Sequence, residues 1–189
     1  PDMSIHGKII AGGTPGGAVT GRADIMQVFD YTGDPHHDRY ERVHHLGTFN
    51  ANPVSAAAGI ATLKRIATGL PHEHADRMAA VLRQGMDDIL YQERVAGYVY
   101  GDVSIFHVYL EAHPGTGAVR RQDLITSEAG ILKGIPKEVV SAFQKLLLAR
   151  GVDLVSYTGG VTSAAHTETD IQNTLDIFQD VIRSMVKDE

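Results

Sequence analysis

Hydrophobic and polar positions alternate in blocks along the chain, and the period of each block predicts its element. The run NPVSAAAGIATLKRIATG predicts a helix. Asn52 can cap it, Pro53 suits its first turn, and Gly69 can end it. Its small residues Ala56, Ala57, Ala58 and Gly59 allow close packing on another backbone. In LPHEHADRMAAVLRQGMDDILYQERVAG, residues Ala75, Met78, Ala79, Leu82, Met86, Ile89 and Leu90 recur at helical spacing and predict a second helix, with Gly97 after its end. PKEVVSAFQKLLLARG predicts a third helix, opened by proline and closed by glycine. Ile171, Leu175, Phe178, Val181 and Ile182 mark one face of a last helix starting at Thr167. There TETD is a capping box with Asp in place of the usual Glu.

The remaining apolar runs are short and predict strands. Residues 1–21 read as a strand, a glycine-rich turn at GGTPGG, and a second strand at GAVTG. YVYGDVS and IFHVYLEAH predict two more, the latter with Phe106, Val108 and Leu110 on one face; VDLVSY and GVTSAA predict a further two. Residues 30–46 are polar, His-rich and without period, which predicts a loop, and residues 113–134 read as irregular. The pattern is mixed α/β. A boundary near Gly69 to Pro71 divides residues 1–69 from an α+β domain over residues 70–189.

Composition narrows the function classes. The 189 residues suffice for a buried core, and 43% hydrophobic with 21% charged residues is ordinary for a globular protein. A net charge of −6 with scattered Lys and Arg predicts no nucleic-acid or membrane partner. Cysteine is absent, which removes thiolate chemistry and fits a cytoplasmic location. No apolar run reaches the ~20 residues of a membrane span.

The candidate chemistry begins at IHGKIIAGGTPGG. An amine attacks an aldehyde only when unprotonated, and an apolar, partly desolvated pocket favours that form. Neighbouring glycines let backbone approach a bulky bound group. Lys8 between an apolar run and a glycine turn therefore suits a Schiff-base site; the alternative is a strand-end lysine reaching water beside an ordinary turn. Neither a phosphate-binding P-loop nor a G-x-G-x-x-G pattern fits the stretch.

Three stretches taken together carry a resemblance. HGKIIAGGTPGGAVTGRADIM resembles the lysine segment of class III, pyridoxal-phosphate-dependent aminotransferases and the related glutamate-1-semialdehyde aminomutases. LGTFNANPVSAAAGIATLKRI resembles that family's Gly-Thr segment and the helix after it, and LLLARGVDLV with GGVTSAAHTETDIQNTLDIF resembles its C-terminal ending. The resemblance implies fold type I. Residues 1–69 would finish the large cofactor domain, and residues 70–189 would form the small C-terminal domain.

It also implies site residues. Lys8 would form the Schiff base with pyridoxal 5'-phosphate and then move the proton at the substrate α-carbon. Thr48 would bind the cofactor phosphate of a neighbouring subunit, with Gly47 letting the backbone come close, so a homodimer-type assembly is expected. The family's other cofactor contacts lie upstream of its lysine. The resemblance therefore implies an N-terminal half of the same enzyme, on another chain or missing. The expected reaction transfers an amino group between an amino acid or amine and a keto acid or aldehyde. Intramolecular transfer by an aminomutase is the near alternative, and a catalytically silent dimerisation module the distant one.

Some residues depart from the family pattern or stand outside it. His6 occupies a place where the family more often has a small hydroxyl or aromatic residue. SYTGGVTSAAHT carries no arginine for a substrate carboxylate, which leaves upstream residues or more distant arginines such as Arg22 or Arg42. The pairs His36–His37 and His44–His45 and the run His72-Glu73-His74 invite a metal reading. Adjacent side chains diverge, however, and no metal is expected. His44 or His45 could approach substrate, and His166 is expected to serve the turn before the last helix.

Overall fold

The computed structural model describes residues 1–111, 129–155 and 157–187. Its internal contacts divide the chain into two units, Pro1–Gly69 and Leu70–Glu189.

The first unit opens with strands β1 (Met3–His6) and β2 (Ala18–Gly21), paired antiparallel from Met3 opposite Gly21 to His6 opposite Ala18. Between them a 3-10 turn covers Lys8–Ala11 and ends on Gly12, whose φ of 63° is the left-handed conformation that a glycine adopts without cost. A short helix α1 (Ala23–Met26) follows β2. Helix α2 (Pro53–Ile66) starts as its sequence predicts. The Asn52 side chain accepts from the N–H groups of Val54 (2.9 Å) and Ser55 (3.2 Å), and Pro53 sits where no N–H is needed.

The stretch expected to be a plain loop holds more order than its pattern signals. His37–Glu41 forms a π-helical turn. Asp38 pins it by accepting from the N–H groups of Thr32 (2.8 Å) and Gly33 (3.0 Å), and these bonds hold its carboxyl below the ordinary range.

The second unit is built from α3 (Leu70–Gln92), β3 (Gly97–Tyr100), β4 (Ile105–Leu110), α4 (Ala129–Leu132), α5 (Lys137–Leu148), β5 (Gly159–Val161) and α6 (Glu168–Lys187). The sheet order is β3-β4-β5, antiparallel throughout. Val99, Phe106, Val108 and Leu110 face a core completed by Met78, Leu82, Met86 and Leu90 of α3, Phe143 and Leu147 of α5, and Phe178, Val181 and Ile182 of α6. Phe143 and Phe178 meet edge to face at 6.0 Å with no exposed surface. On the opposite sheet face, Tyr98 and Tyr109 pack with Ile135 and Val140. The capping box of α6 forms as read: Thr167 N–H donates to Asp170 (2.7 Å) and Asp170 N–H to the Thr167 hydroxyl (3.2 Å).

Two expectations are corrected. Within VDLVSY, residues 152–155 are not a strand. Val152 N–H donates to Leu147 O (3.0 Å) and Gly151, at φ 91°, donates to Leu148 O (3.0 Å), so this backbone completes the C-terminal cap of α5. Of the residues 113–134 read as irregular, 129–132 form α4, and 112–128 lie outside the described residues.

Candidate active site

The lysine turn is built on two backbone peculiarities. Gly7 is extended, and Lys8 then adopts φ 54°, a left-handed conformation that costs a non-glycine residue about 1–2 kcal/mol. The turn is closed by Gly12 N–H donating to Ile9 O (2.9 Å), with Thr14 bonding back to Ala11 O through its N–H (3.2 Å) and hydroxyl (2.6 Å). A side chain added at Gly7 or Gly13 would meet nothing within 4 Å, so open space flanks the lysine on both sides in sequence.

The desolvated pocket expected around the amine is not formed by these residues. Lys8 is exposed, and the buried member of the turn is Ala11, 5% exposed. Burial falls there because Gly16 closes on Ala11: a Cβ on Gly16 would lie 2.8 Å from that of Ala11. No hydrogen bond or ion pair occupies the Lys8 amine among the described residues.

The second candidate stretch is a rigid double turn. Asn50 N–H donates to Gly47 O (3.0 Å), and Asn52 N–H to Phe49 O (3.2 Å). The Asn50 side chain folds over Gly47 to donate to His45 O (3.0 Å), so a Cβ on Gly47 would lie 2.7 Å from Asn50 Oδ1. Ala51 completes the turn at φ 55°. Thr48 and Phe49 are left at the tip. Thr48 is exposed, its hydroxyl and N–H have no partner among the described residues, and the Phe49 ring is 78% exposed.

Small-ligand clefts run to about 300–1,000 Å³, and one of ≈ 530 Å³ lies between these two stretches. Its lining includes Ile10, Gly16 and Gly17 from the first, His45 and Phe49 from the second, and Gly59 of α2. Lys8, Gly47 and Thr48 themselves are not among its lining residues. The structure thus brings both segments to one cavity while the residues singled out from sequence sit beside it.

Other expected participants are otherwise engaged. Arg22 pairs with Asp24 (2.7 Å) and Asp2 (3.1 Å), and these carboxylates raise its pKa above the ordinary guanidinium value. Arg42 stacks 3.9 Å over Tyr31 and donates to Phe29 O (3.3 Å), the Tyr31 hydroxyl (3.0 Å) and His44 Nδ1 (3.0 Å); its buried Nε has no partner among the described residues. His44 then has Nε2–H to donate to Arg39 O (3.4 Å), which leaves His45 as the histidine facing the cavity. His6 meets the Thr20 hydroxyl at 3.1 Å across the hairpin.

His166 serves its turn: its Nδ1 accepts from Ser163 N–H (3.0 Å), and its carbonyl accepts from His74 Nε2 (2.7 Å). Among the described residues no group of three His, Asp or Glu is arranged to hold a metal ion. None of their helices is long and apolar enough to cross a membrane.

What sequence reasoning missed here is conformational: the left-handed Lys8 and the lock of Asn50 over Gly47. The Gly47-x-x-Asn50 spacing was the available signal for the second.

With this geometry in place, the comparisons are specific. Residues 1–147 match the model of the aminotransferase class-III family, and the chain belongs to that family. Glutamate-1-semialdehyde 2,1-aminomutase of Halobacterium salinarum is 32% identical over 197 residues, which cover 96% of this chain and 42% of that protein. Among solved structures, an omega-transaminase from Sphaerobacter thermophilus superposes with a TM-score of 0.75 at 31% identity, over 98% of this chain and 39% of that one. A transaminase with PLP bound gives 0.72 at 28% identity, over 99% and 39%.

The chain therefore has the fold of a C-terminal region of the fold-type-I, pyridoxal-phosphate-dependent transaminases. It spans about 40% of the length of the relatives it matches.

Proposed function

We propose that this chain supplies the covalent lysine, Lys8, and a phosphate-binding turn at Gly47 and Thr48 to a pyridoxal-phosphate-dependent aminotransferase. The reaction moves an amino group between an amino acid or amine and a keto acid or aldehyde. The observation that carries this reading is Lys8 itself. It lies inside the family match, is held in a left-handed conformation, and its amine has no partner among the described residues. Backbone strain of this kind persists where the surroundings over-determine it and gathers at functional sites.

The residues present fit the cofactor. A primary amine beside open space at Gly7 and Gly13 can take the covalent link, and a turn tip with a hydroxyl and an N–H can donate to a phosphate. When bound, the pyridinium ring acts as electron sink for the carbon that loses its proton. Lys8 would also be the base that carries that proton between two positions. Thr48 of one copy would hold the phosphate end of the cofactor bound at the other copy's Lys8, so that the reach of that lysine decides which atom it meets.

The rest of the enzyme is part of the proposal. Ile5 is 86% exposed, Leu46 84% and Ile9 62%, an apolar surface that further polypeptide would cover. We assign this covering to the upstream half of the same enzyme, and the exposed Thr48 to the site of a second copy in a homodimer located in the cytoplasm.

An aminomutase, in which the amino group returns to the same carbon skeleton, is the second reading; the name of the Halobacterium relative favours it. The remaining partners are the small-molecule amino donor and acceptor.

Borohydride reduction followed by peptide mass analysis tests the lysine. A pyridoxyl adduct on Lys8 is expected, with loss of the covalent cofactor in Lys8→Ala. A clean Lys8 in protein that includes the upstream half and is supplied with cofactor would leave only a silent assembly module. Thr48→Ala should weaken cofactor binding by about 1.5–3 kcal/mol, the range for a hydrogen bond to a charged group. Incubation with glutamate 1-semialdehyde, with and without a separate amino acceptor, separates the two reactions.

A further inference from the structure

Helix α2 meets the lysine turn through close backbone approaches and two hydroxyl side chains. Ser55, Ala58, Gly59 and Thr62 recur at i, i+3, i+4 and i+7, one helix face, and all four lie against residues 10–16. The Ser55 hydroxyl donates to Pro15 O (2.8 Å). A methyl group on Gly59 would come within 2.5 Å of Ile10 O. A methyl on Gly12 would come within 2.5 Å of the Ala58 carbonyl and 2.9 Å of the Thr62 hydroxyl. Gly59 is buried, the one buried residue of α2.

The carbonyl pressed on Gly59 belongs to the turn that starts at the strained lysine. Ile10 N–H donates to Gly7 O (3.4 Å), spanning Lys8, and Gly12 N–H donates to Ile9 O (2.9 Å). Ile10 and Lys8 share this four-residue turn, so a shift of Ile10 bears on Lys8, whose left-handed φ needs support from outside the turn.

We propose that Gly59 is a positioning residue for Lys8. Its missing side chain lets α2 clamp the Ile10 carbonyl, and this contact sets the backbone from which the amine is delivered. The inference rests on the reading of Lys8 as the covalent lysine. Gly59 lines the cavity beside Ile10, and its effect on Lys8 is exerted through the Ile10 carbonyl.

The test uses the full-length protein that contains this chain, loaded with pyridoxal phosphate. Wild type is compared with Gly59→Ala, with the milder Ser55→Ala, and with Ala57→Ser at an exposed position of the same helix. Four quantities are read: the pH midpoint of the visible absorbance band, the fraction of Lys8 carrying pyridoxyl after borohydride, kcat against KM, and thermal unfolding. Gly59→Ala should unfold cooperatively and move the midpoint by about one unit. It should lower kcat up to about a hundredfold, the scale for an ångström of misplacement, with KM changed little. Ser55→Ala should move the same readouts less, and Ala57→Ser not at all.

If Gly59→Ala does not fold, Ser55→Ala decides: an unmoved midpoint and kcat overturn the proposal. Wild-type values in a folded Gly59→Ala overturn it equally. A wild type with no pyridoxyl on Lys8 overturns the lysine reading and this inference with it. An adduct in wild type with Gly59→Ala unaffected overturns this inference alone.

Discussion

The two units of this chain spend their hydrophobic residues in opposite ways. In the second, Phe143, Leu147, Phe178 and Val181 have no exposed surface, and three helices share them with a sheet. In the first, Ala11 is the only buried hydrophobic residue among those described, while Ile5, Ile9, Leu46, Phe49 and Val54 are all more than 60% exposed. Both contain well-capped helices, so local order does not separate them. Burial does. The second unit is a core with elements around it, whereas the first is a hairpin, turns and two helices with most of their large apolar side chains exposed. The candidate functional segments sit in the first, where turns present groups, and stability sits in the second.

The sharpest way to break this contrast is Phe178→Ala. It should cost about 3–5 kcal/mol, the range for emptying a fully packed aromatic site, and raise hydrogen exchange across residues 70–110 and 137–187 together. Unchanged protection there would mean that the second unit has no single core.

A smaller effect is expected at the start of α6. Thr167→Ala should cost about 1 kcal/mol at neutral pH, as loss of an N-cap does. The bonds from Thr167 N–H and hydroxyl depress the Asp170 pKa. A depressed carboxyl stabilises the fold above its unfolded value near ~3.9 and loses that contribution as pH falls through the folded value. The stability gap between wild type and Thr167→Ala should therefore narrow in acid; a gap constant to pH 2 would refute the linkage.

The smallest effect belongs to the first unit. Ile5→Ser should change the stability of this chain by less than about 0.5 kcal/mol, as for exposed positions generally. In the full-length protein the same change should cost several times more if the hairpin face is covered there. Equal, small effects in both settings would mean that nothing covers Ile5.

Much of this was legible in the sequence because it is local. Asn52 and Pro53 start α2 through bonds spanning three residues, and TETD starts α6 in the same way. Periodicity picked out the buried face of α3 because helix geometry fixes which residues share a side. The segment at 152–155 was misread for the converse reason. Val152, Leu154 and Val155 favour a strand, but a strand needs a partner, and the Val152 N–H was already committed to Leu147. Nothing local announces that competition.

The candidate site divides along the same line. Sequence alone determined which residues are present: a lysine beside glycines, a Gly-Thr turn before a capped helix, and small residues on that helix. These are matters of residue type and spacing. Only the tertiary structure decided that Ala58 and Gly59 face the lysine turn, that Gly59 lies against Ile10 O, and that Lys8 takes a left-handed backbone while remaining exposed. Those facts depend on two backbone segments distant in sequence being forced into contact, and a φ angle is set by whatever surrounds it.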